Sequence, residues 1–388
     1  MPPPWRASEG TLPGGTEVGF LGNQRRRGFA SLFRGAIHRL VSLPGRLVPE
    51  SVRSALLRLF GANAALNELY YLFRGSFRHE HRTVLQGRLK HYGQVSNGLG
   101  DGARFRLRRY LHGLEKGLIM RPRRPVWALA YIEETVALFD QLSRTEAPPE
   151  SCEAMLTGYA ADVLSAYFNA VGNHPGVEPA RRRFEEAVGC LKHEAGDRLP
   201  HHRTADPSPV RYEDLHALAR RRKSTRWFLH DPPSRELLDK AVLVALQAPS
   251  ACNRQPFEFR IYDDPDIVRT VSSIPMGTAG FAEGVPCVVL IVGHQRAYSD
   301  ERDRHLIYVD GALAAMSFQL ALETLGLASC AINWPDMPAK QKLLRKTISL
   351  APDEEPVLVL CVGVPDPDAF VPFSQRKTLD EIRSFNKR

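Results

Sequence analysis

The chain has 388 residues, 43% of them hydrophobic and 24% charged. That is ordinary globular composition, long enough for two domains, and it excludes a wholly unstructured or fibrous protein. The net charge of +9 suits an anionic cofactor, nucleic acid or a membrane surface, but no nucleic-acid-reading motif accompanies it, so nucleic acid is not an expected partner. Six scattered cysteines without a Cys-x-x-Cys pair read as reduced thiols rather than a disulfide framework or zinc site. The apolar runs fall short of the roughly 20 residues a bilayer span needs and no secretory signal pattern is present, so a cytoplasmic location is expected.

In chain order, residues 1–24 are rich in proline and glycine and read as a disordered tail. From residue 25, Phe29, Leu32, Phe33, Ile37, Leu40 and Val41 fall on one helical face, with Arg26, Arg34 and Arg39 elsewhere. Such a basic amphipathic helix packs against neighbouring helices or, less commonly, lies on anionic lipid. A second helix is predicted over 51–73. The polar, glycine-punctuated stretch 79–102 reads as a connection.

A helix is predicted next over 104–118, where His112, Glu115 and Lys116 share one face and Arg121, Arg123 and Arg124 follow. This patch either contacts an acidic substrate or is a helix end whose cations sit near the last carbonyls; the second reading is the ordinary one. Amphipathic patterns over 126–142, 152–171 and 181–192 make 25–195 an all-helical region of unassigned role. The proline-rich stretch 196–210 reads as a linker. Its His201-His202 pair has no further ligand at useful spacing, so no metal is expected.

Residues 211–388 mix both patterns. Helices are predicted over 212–222, 235–247, 264–272 and 305–325, strands over 257–262, 287–292, 329–332 and 356–362, and a glycine-containing loop over 276–280. The chemistry concentrates in two segments. Arg222, Ser224 and Arg226 alternate, which in extended chain aims two guanidinium forks and a hydroxyl at one target, a donor set suited to a phosphate monoester. Residues 248–256 carry Pro249, Ser250, Asn253, Gln255 and Pro256, a loop able to offer several donors and acceptors to a planar polar ring.

Taken as a pair, Arg221-Arg222-Lys223-Ser224-Thr225-Arg226-Trp227-Phe228 and Pro249-Ser250-Ala251-Cys252-Asn253-Arg254-Gln255-Pro256-Phe257 resemble the signature of the FMN-dependent nitroreductase family. Asp310-Gly311 and Leu325-Gly326-Leu327 are similar to the two ends of that family's central, dimer-core helix. Arg376-Lys377-Thr378-Leu379-Asp380-Glu381 resembles its ending. The resemblance implies an α+β nitroreductase-like FMN-binding fold over 211–388, with a central antiparallel or mixed sheet wrapped by helices and preceded by the helical region.

It further implies a homodimer with FMN at the subunit interface. Arg222, Lys223, Ser224 and Arg226 would surround the phosphate with Arg376 or Lys377. Pro249, Ser250, Asn253 and Gln255 would contact the flavin, partly from the partner subunit, and Asn333 would lie beside it. The implied reaction is hydride transfer from NAD(P)H through the flavin to a small-molecule acceptor. Phe257 replaces the family's usual tryptophan. Ala331-Ile332-Asn333-Trp334-Pro335 replaces smaller residues, and Trp334 is expected to cover or narrow the pocket. That departure keeps two alternatives open: a flavin enzyme of dehydrogenation, dehalogenation or flavin fragmentation, and a non-catalytic interaction module of the same fold.

Overall fold

The computed structural model describes residues 50–75, 77–93, 99–191, 196 and 198–387, so the tail over 1–24 and the basic helix from residue 25 lie outside the described residues. The chain divides into two compact units, Met1–His79 and Glu80–Arg388. In the first, α1 (Glu50–Gly61) and α2 (Ala64–Arg74) pack together. The sequence suggests one helix here; Asn63 makes it two, because its side chain accepts the Leu66 N–H at 2.9 Å as an N-cap.

Helix α3 (Arg78–Tyr92) occupies most of the stretch read above as a connection. The periodicity is hidden because the face it buries consists of Thr83, Val84, Gly87 and His91, only one of them strongly apolar. Then follow α4 (Asp101–Ile119), α5 (Ile132–Ser143), α6 (Cys152–Ala170) and α7 (Glu178–Gly189). These close around Leu107, Leu111, Leu114, Ile132, Phe139 and Tyr167, a continuous apolar core. Residues 196–210 belong to the second unit, and 201–210 are exposed.

The remainder runs α8 (Tyr212–Arg221), α9 (Arg235–Ala245), β1 (Phe257–Tyr262), α10 (Pro265–Ser273), β2 (Cys287–His294), α11 (Leu306–Thr324), β3 (Ala328–Asn333), α12 (Pro338–Thr347), β4 (Glu354–Gly363) and α13 (Leu379–Ile382). The four strands form one antiparallel sheet in the order β1-β2-β4-β3. One face is covered by α9 and α11 through Leu238, Ala241, Ala314 and Phe318. The other carries Val268 and Val271 of α10, Phe281 and Leu344 of α12. By length and apolarity the stretch Glu301–Thr324 could cross a membrane, yet half of it is buried inside the fold, where α11 is the core helix.

A polar seam joins α3 and α4 to the start of β4. Arg296 reaches Asp353 at 2.8 Å, Glu354 at 3.0 Å and Asp101 at 3.1 Å. Lys90 reaches Asp353 at 2.5 Å, and the Thr83 hydroxyl donates to Glu355 at 2.6 Å. His91 Nδ1 lies 2.8 Å from the Arg296 carbonyl oxygen. Asp353, Glu354 and Glu355 are all buried, and Lys90 and Arg296 for the first two, with Arg345 at 3.5 Å from Glu355, supply the pairing without which buried carboxylates are costly. Burial would raise the Asp353 and Glu354 carboxyls, but Lys90 and Arg296 for the first, and His294, the Ala351 N–H, Arg260 and Arg296 for the second, hold both below the usual carboxylate range.

Candidate functional site

After α8 the chain leaves the helix in extended form and runs along the outer edge of β3. Ser224 pairs in parallel with Ser329, and the Thr225 N–H donates to the Ser329 carbonyl at 3.1 Å. Thr225 is buried and fixes the segment; Arg222, Lys223 and Ser224 beside it are half-buried, and Arg226 is exposed. Among the described residues none of Arg222, Lys223 and Arg226 forms an ion pair with a carboxylate, whereas the neighbouring Arg221 reaches Glu323 at 3.3 Å. The Arg226 guanidinium lies 5.9 Å from the Phe281 ring centre. Three unneutralised cations around a hydroxyl, on a backbone pinned to a strand, fit the phosphate of a nucleotide-like cofactor.

Local fields agree with that reading. Burial pushes the Cys330 thiol up, opposed by Arg226, Ser224 and Arg222. Burial likewise raises the Glu323 carboxyl against Arg221 and Arg222. Beyond Ser329 on the same face of β3, Ala331 and Asn333 are exposed while Ile332 between them is buried. This leaves an open strip leading away from the cationic segment. Trp334, expected above to cover or narrow the pocket, packs partly buried against the Ile332 and Phe281 cluster, and its indole Nε1 is buried.

The second segment is a tight loop. Cys252, Asn253 and Gln255 take φ of 54°, 52° and 53°, the left-handed region that non-glycine residues seldom adopt. Strain of about 1 kcal/mol or more per such residue persists only when the surroundings enforce it. Here the Gln255 N–H donates to Ser250 Oγ at 3.0 Å, Gln255 Nε2 to Asn253 Oδ1 at 2.9 Å, and the Ala251 N–H to Asp310 Oδ2 at 3.0 Å. Pro249 and Asn253 remain exposed, and Ser250 and Gln255 are half-buried.

Within one chain the two segments do not meet. The loop enters β1 at Phe257, which pairs with Gly293, at the end of the sheet where Asn333 of β3 pairs with Leu358. Ser224 borders the opposite edge and the opposite end, at Ser329. At about 4.8 Å per strand and 3.4 Å per residue, that diagonal spans roughly 19 Å across and 20 Å along the sheet. The tail does approach the cationic segment, since Lys223 Nζ donates to the Phe373 carbonyl at 3.3 Å. Arg376 and Lys377 follow shortly after, both exposed.

Three residues that sequence reasoning passed over support the loop. Arg254 is only 4% exposed, and its guanidinium lies 5.0 Å from the Tyr298 ring centre. The Tyr298 hydroxyl donates to Asp310 Oδ2 at 3.1 Å. Arg254 occupies a variable position of its motif and Tyr298 a featureless loop, so neither carried a signal; Asp310 stood out only as the start of a helix. Helix α4 packs on the same turn, and Phe105 joins the Tyr298 and Ile307 cluster. His112 is half-buried there, its pKa lowered by burial and by the charges of Lys116 and Arg254. Glu115 accepts the Tyr159 hydroxyl at 2.6 Å, and a Cβ on Gly117 would collide with the Trp127 indole. The motif around His112 is therefore in large part a packing surface.

Residues 219–278 and 268–364 match the family model of the Nitroreductase family. The chain is similar to the iodotyrosine deiodinase of Nematostella vectensis, 22% identical over 226 residues that cover 51% of this chain and 83% of that protein. It is similar also to the iodotyrosine deiodinase of Haliscomenobacter hydrossis, at 27% over 186 residues, 40% of this chain and 81% of the other. Among solved structures, an FMN-dependent nitroreductase from Clostridium difficile aligns with a TM-score of 0.38 at 22% identity, over 44% of this chain and 98% of that one. With its family match, its antiparallel sheet between helical layers and its preceding helical part, the C-terminal region of this chain carries a nitroreductase-family domain.

Proposed function

We propose that the protein is a homodimeric FMN-dependent oxidoreductase that passes reducing equivalents from NAD(P)H to a small-molecule acceptor. The observation that carries this reading is the diagonal placement of the two motif segments, which fits a site completed by a second copy of the chain. Arg222, Lys223, Ser224 and Arg226 of one subunit would hold the phosphate, with Arg376 or Lys377 closing over it. Ala331 and Asn333 would lie along the ring system. Pro249, Ser250, Asn253 and Gln255 of the other subunit would frame it. Bound FMN would supply the two-electron redox chemistry. The chain's own part is orientation and charge, with Arg226 placed to steady negative charge on the reduced ring.

The exposed apolar stripe Val309, Leu313 and Met316 on α11, at i, i+4 and i+7, supports the dimer. A second reading concerns the acceptor. The similarity to iodotyrosine deiodinases favours reductive removal of halide, in which two electrons and a proton replace a carbon–halogen bond by carbon–hydrogen and release the halide ion. The deciding experiment is the visible spectrum of the purified protein, with the released cofactor identified by mass. Tightly bound FMN, bleached by NAD(P)H and reoxidised by a quinone, is the expected outcome; a protein that stays colourless after reconstitution with FMN overturns the proposal. Bleaching by dithionite alone, with halide release from a halophenol, selects the second reading.

A further inference from the structure

Two basic patches far apart in the sequence meet across one groove. The end of α4 with the residues after it, and the segment 199–203, border a solvent-open groove of about 520 Å³, a size typical of small organic ligand sites. Leu118, Met120, Ala166 and Leu199 give it an apolar lining. Arg121, His201, His202 and Arg203 stand on its rim, all exposed. Among the described residues neither Arg121 nor Arg203 has a carboxylate partner, while Arg198 close by is drawn to Asp162 at 3.8 Å. None of these residues belongs to the segments assigned above to the flavin.

Two fixed guanidinium charges beside the His201-His202 pair repel a metal cation, and the apolar floor gives a nucleic-acid strand nothing to stack on. An apolar groove with cations gathered on its rim is complementary to a molecule of the opposite design. We infer that this groove binds a single-chain organic oxyanion, a carboxylate or phosphate monoester carried on an apolar body, with the head group at Arg121 and Arg203 and the body against Ala166 and Leu199.

The test is calorimetric titration of the full-length protein, with its cofactor as purified, using dodecanoate, dodecyl phosphate and dodecanol below their micellar concentrations. At least one anion should bind one per chain and at least about ten-fold more tightly than the alcohol, roughly 1.4 kcal/mol. The anion that binds more tightly identifies the head group. Arg121→Glu with Arg203→Glu should weaken the anions about ten-fold or more and leave the alcohol unchanged; Ala166→Trp, which fills the floor, should remove both. Arg121→Gln with Arg203→Gln at these exposed positions serves if the charge reversal does not fold. Absence of anion binding, equal affinity for dodecanol, or affinities unmoved by both sets of variants overturns the assignment.

Discussion

The Tyr298 hydroxyl and the Asp310 carboxylate are joined by a 3.1 Å hydrogen bond, and the same Asp310 oxygen holds the Ala251 N–H at 3.0 Å. One carboxylate thus ties the strained loop to the core helix α11. Asp310→Ala should loosen the loop by about 1–3 kcal/mol, the cost of leaving such donors unpaired, and weaken FMN binding about ten-fold or more in a fluorescence titration. Burial raises the Asp310 pKa despite these bonds and Arg254. A raised folded pKa means its favourable contribution is complete below the unfolded carboxylate range and is lost as pH rises through the folded value. Asp310→Asn, which keeps an acceptor and removes the charge, should therefore be at least as stable as the parent at pH 7 in thermal melts.

Arg222 should act on the phosphate alone, and Arg226 on the phosphate and the reduced ring. Arg222→Ala and Arg226→Ala should each weaken FMN by about ten- to a hundred-fold, the scale of a charge-assisted hydrogen bond of roughly 1.5–3 kcal/mol. Riboflavin, which lacks the phosphate, should bind parent and Arg222→Ala alike. Equal losses for both ligands would show that the segment only shapes the fold.

Shared sites make a prediction about mixtures. If Arg226 and Asn253 act from different subunits, a heterodimer of Arg226→Ala and Asn253→Ala holds one site with both defects and one with none. Refolding the two inactive proteins together in equal amounts should then restore about a quarter of parental flavin binding, since half the dimers are mixed and each has one intact site. Mixing without recovery would place both residues in one subunit's site.

His91 gives the fold its acid sensitivity. Burial, then the charges of Arg106, Arg254 and Arg109, lower its pKa against the hydrogen bond to the Arg296 carbonyl, and burial lowers His112 as well. Unfolded histidine takes a proton near pH 6.5, so below that pH the unfolded chain binds protons that the folded one refuses. Stability should fall by up to about 1.4 kcal/mol per pH unit for each such proton. Asp353 and Glu354, held below the carboxylate range, add their loss only as pH drops below about 4. Melting temperature should therefore decline between pH 7.5 and 5.5, and His91→Gln should flatten that limb; an unchanged profile would assign the loss to other groups.

Much of the C-terminal part was legible because its signals are local. Buried β-branched strands and the amphipathic helices between them state their place in the fold within a few residues. The contacts that place α3 were not legible, because its buried face is Thr83, Gly87 and His91, and its partners Glu355 and Arg296 lie in the other half of the chain. Polar interfaces leave no apolar period. Trp334, expected to cover or narrow the pocket, packs partly buried against the cluster that contains Ile332.

The seam in which Arg296 and Lys90 hold Asp353 and Glu354 at the start of β4 bears on what a protease would release. The exposed stretch 201–210 invites cleavage, but cutting the peptide there leaves every one of those ion pairs and the packing of Phe105 intact. A nicked chain would run as two fragments on a denaturing gel and elute as one particle from a sizing column. Its covalent continuity matters for synthesis more than for cohesion.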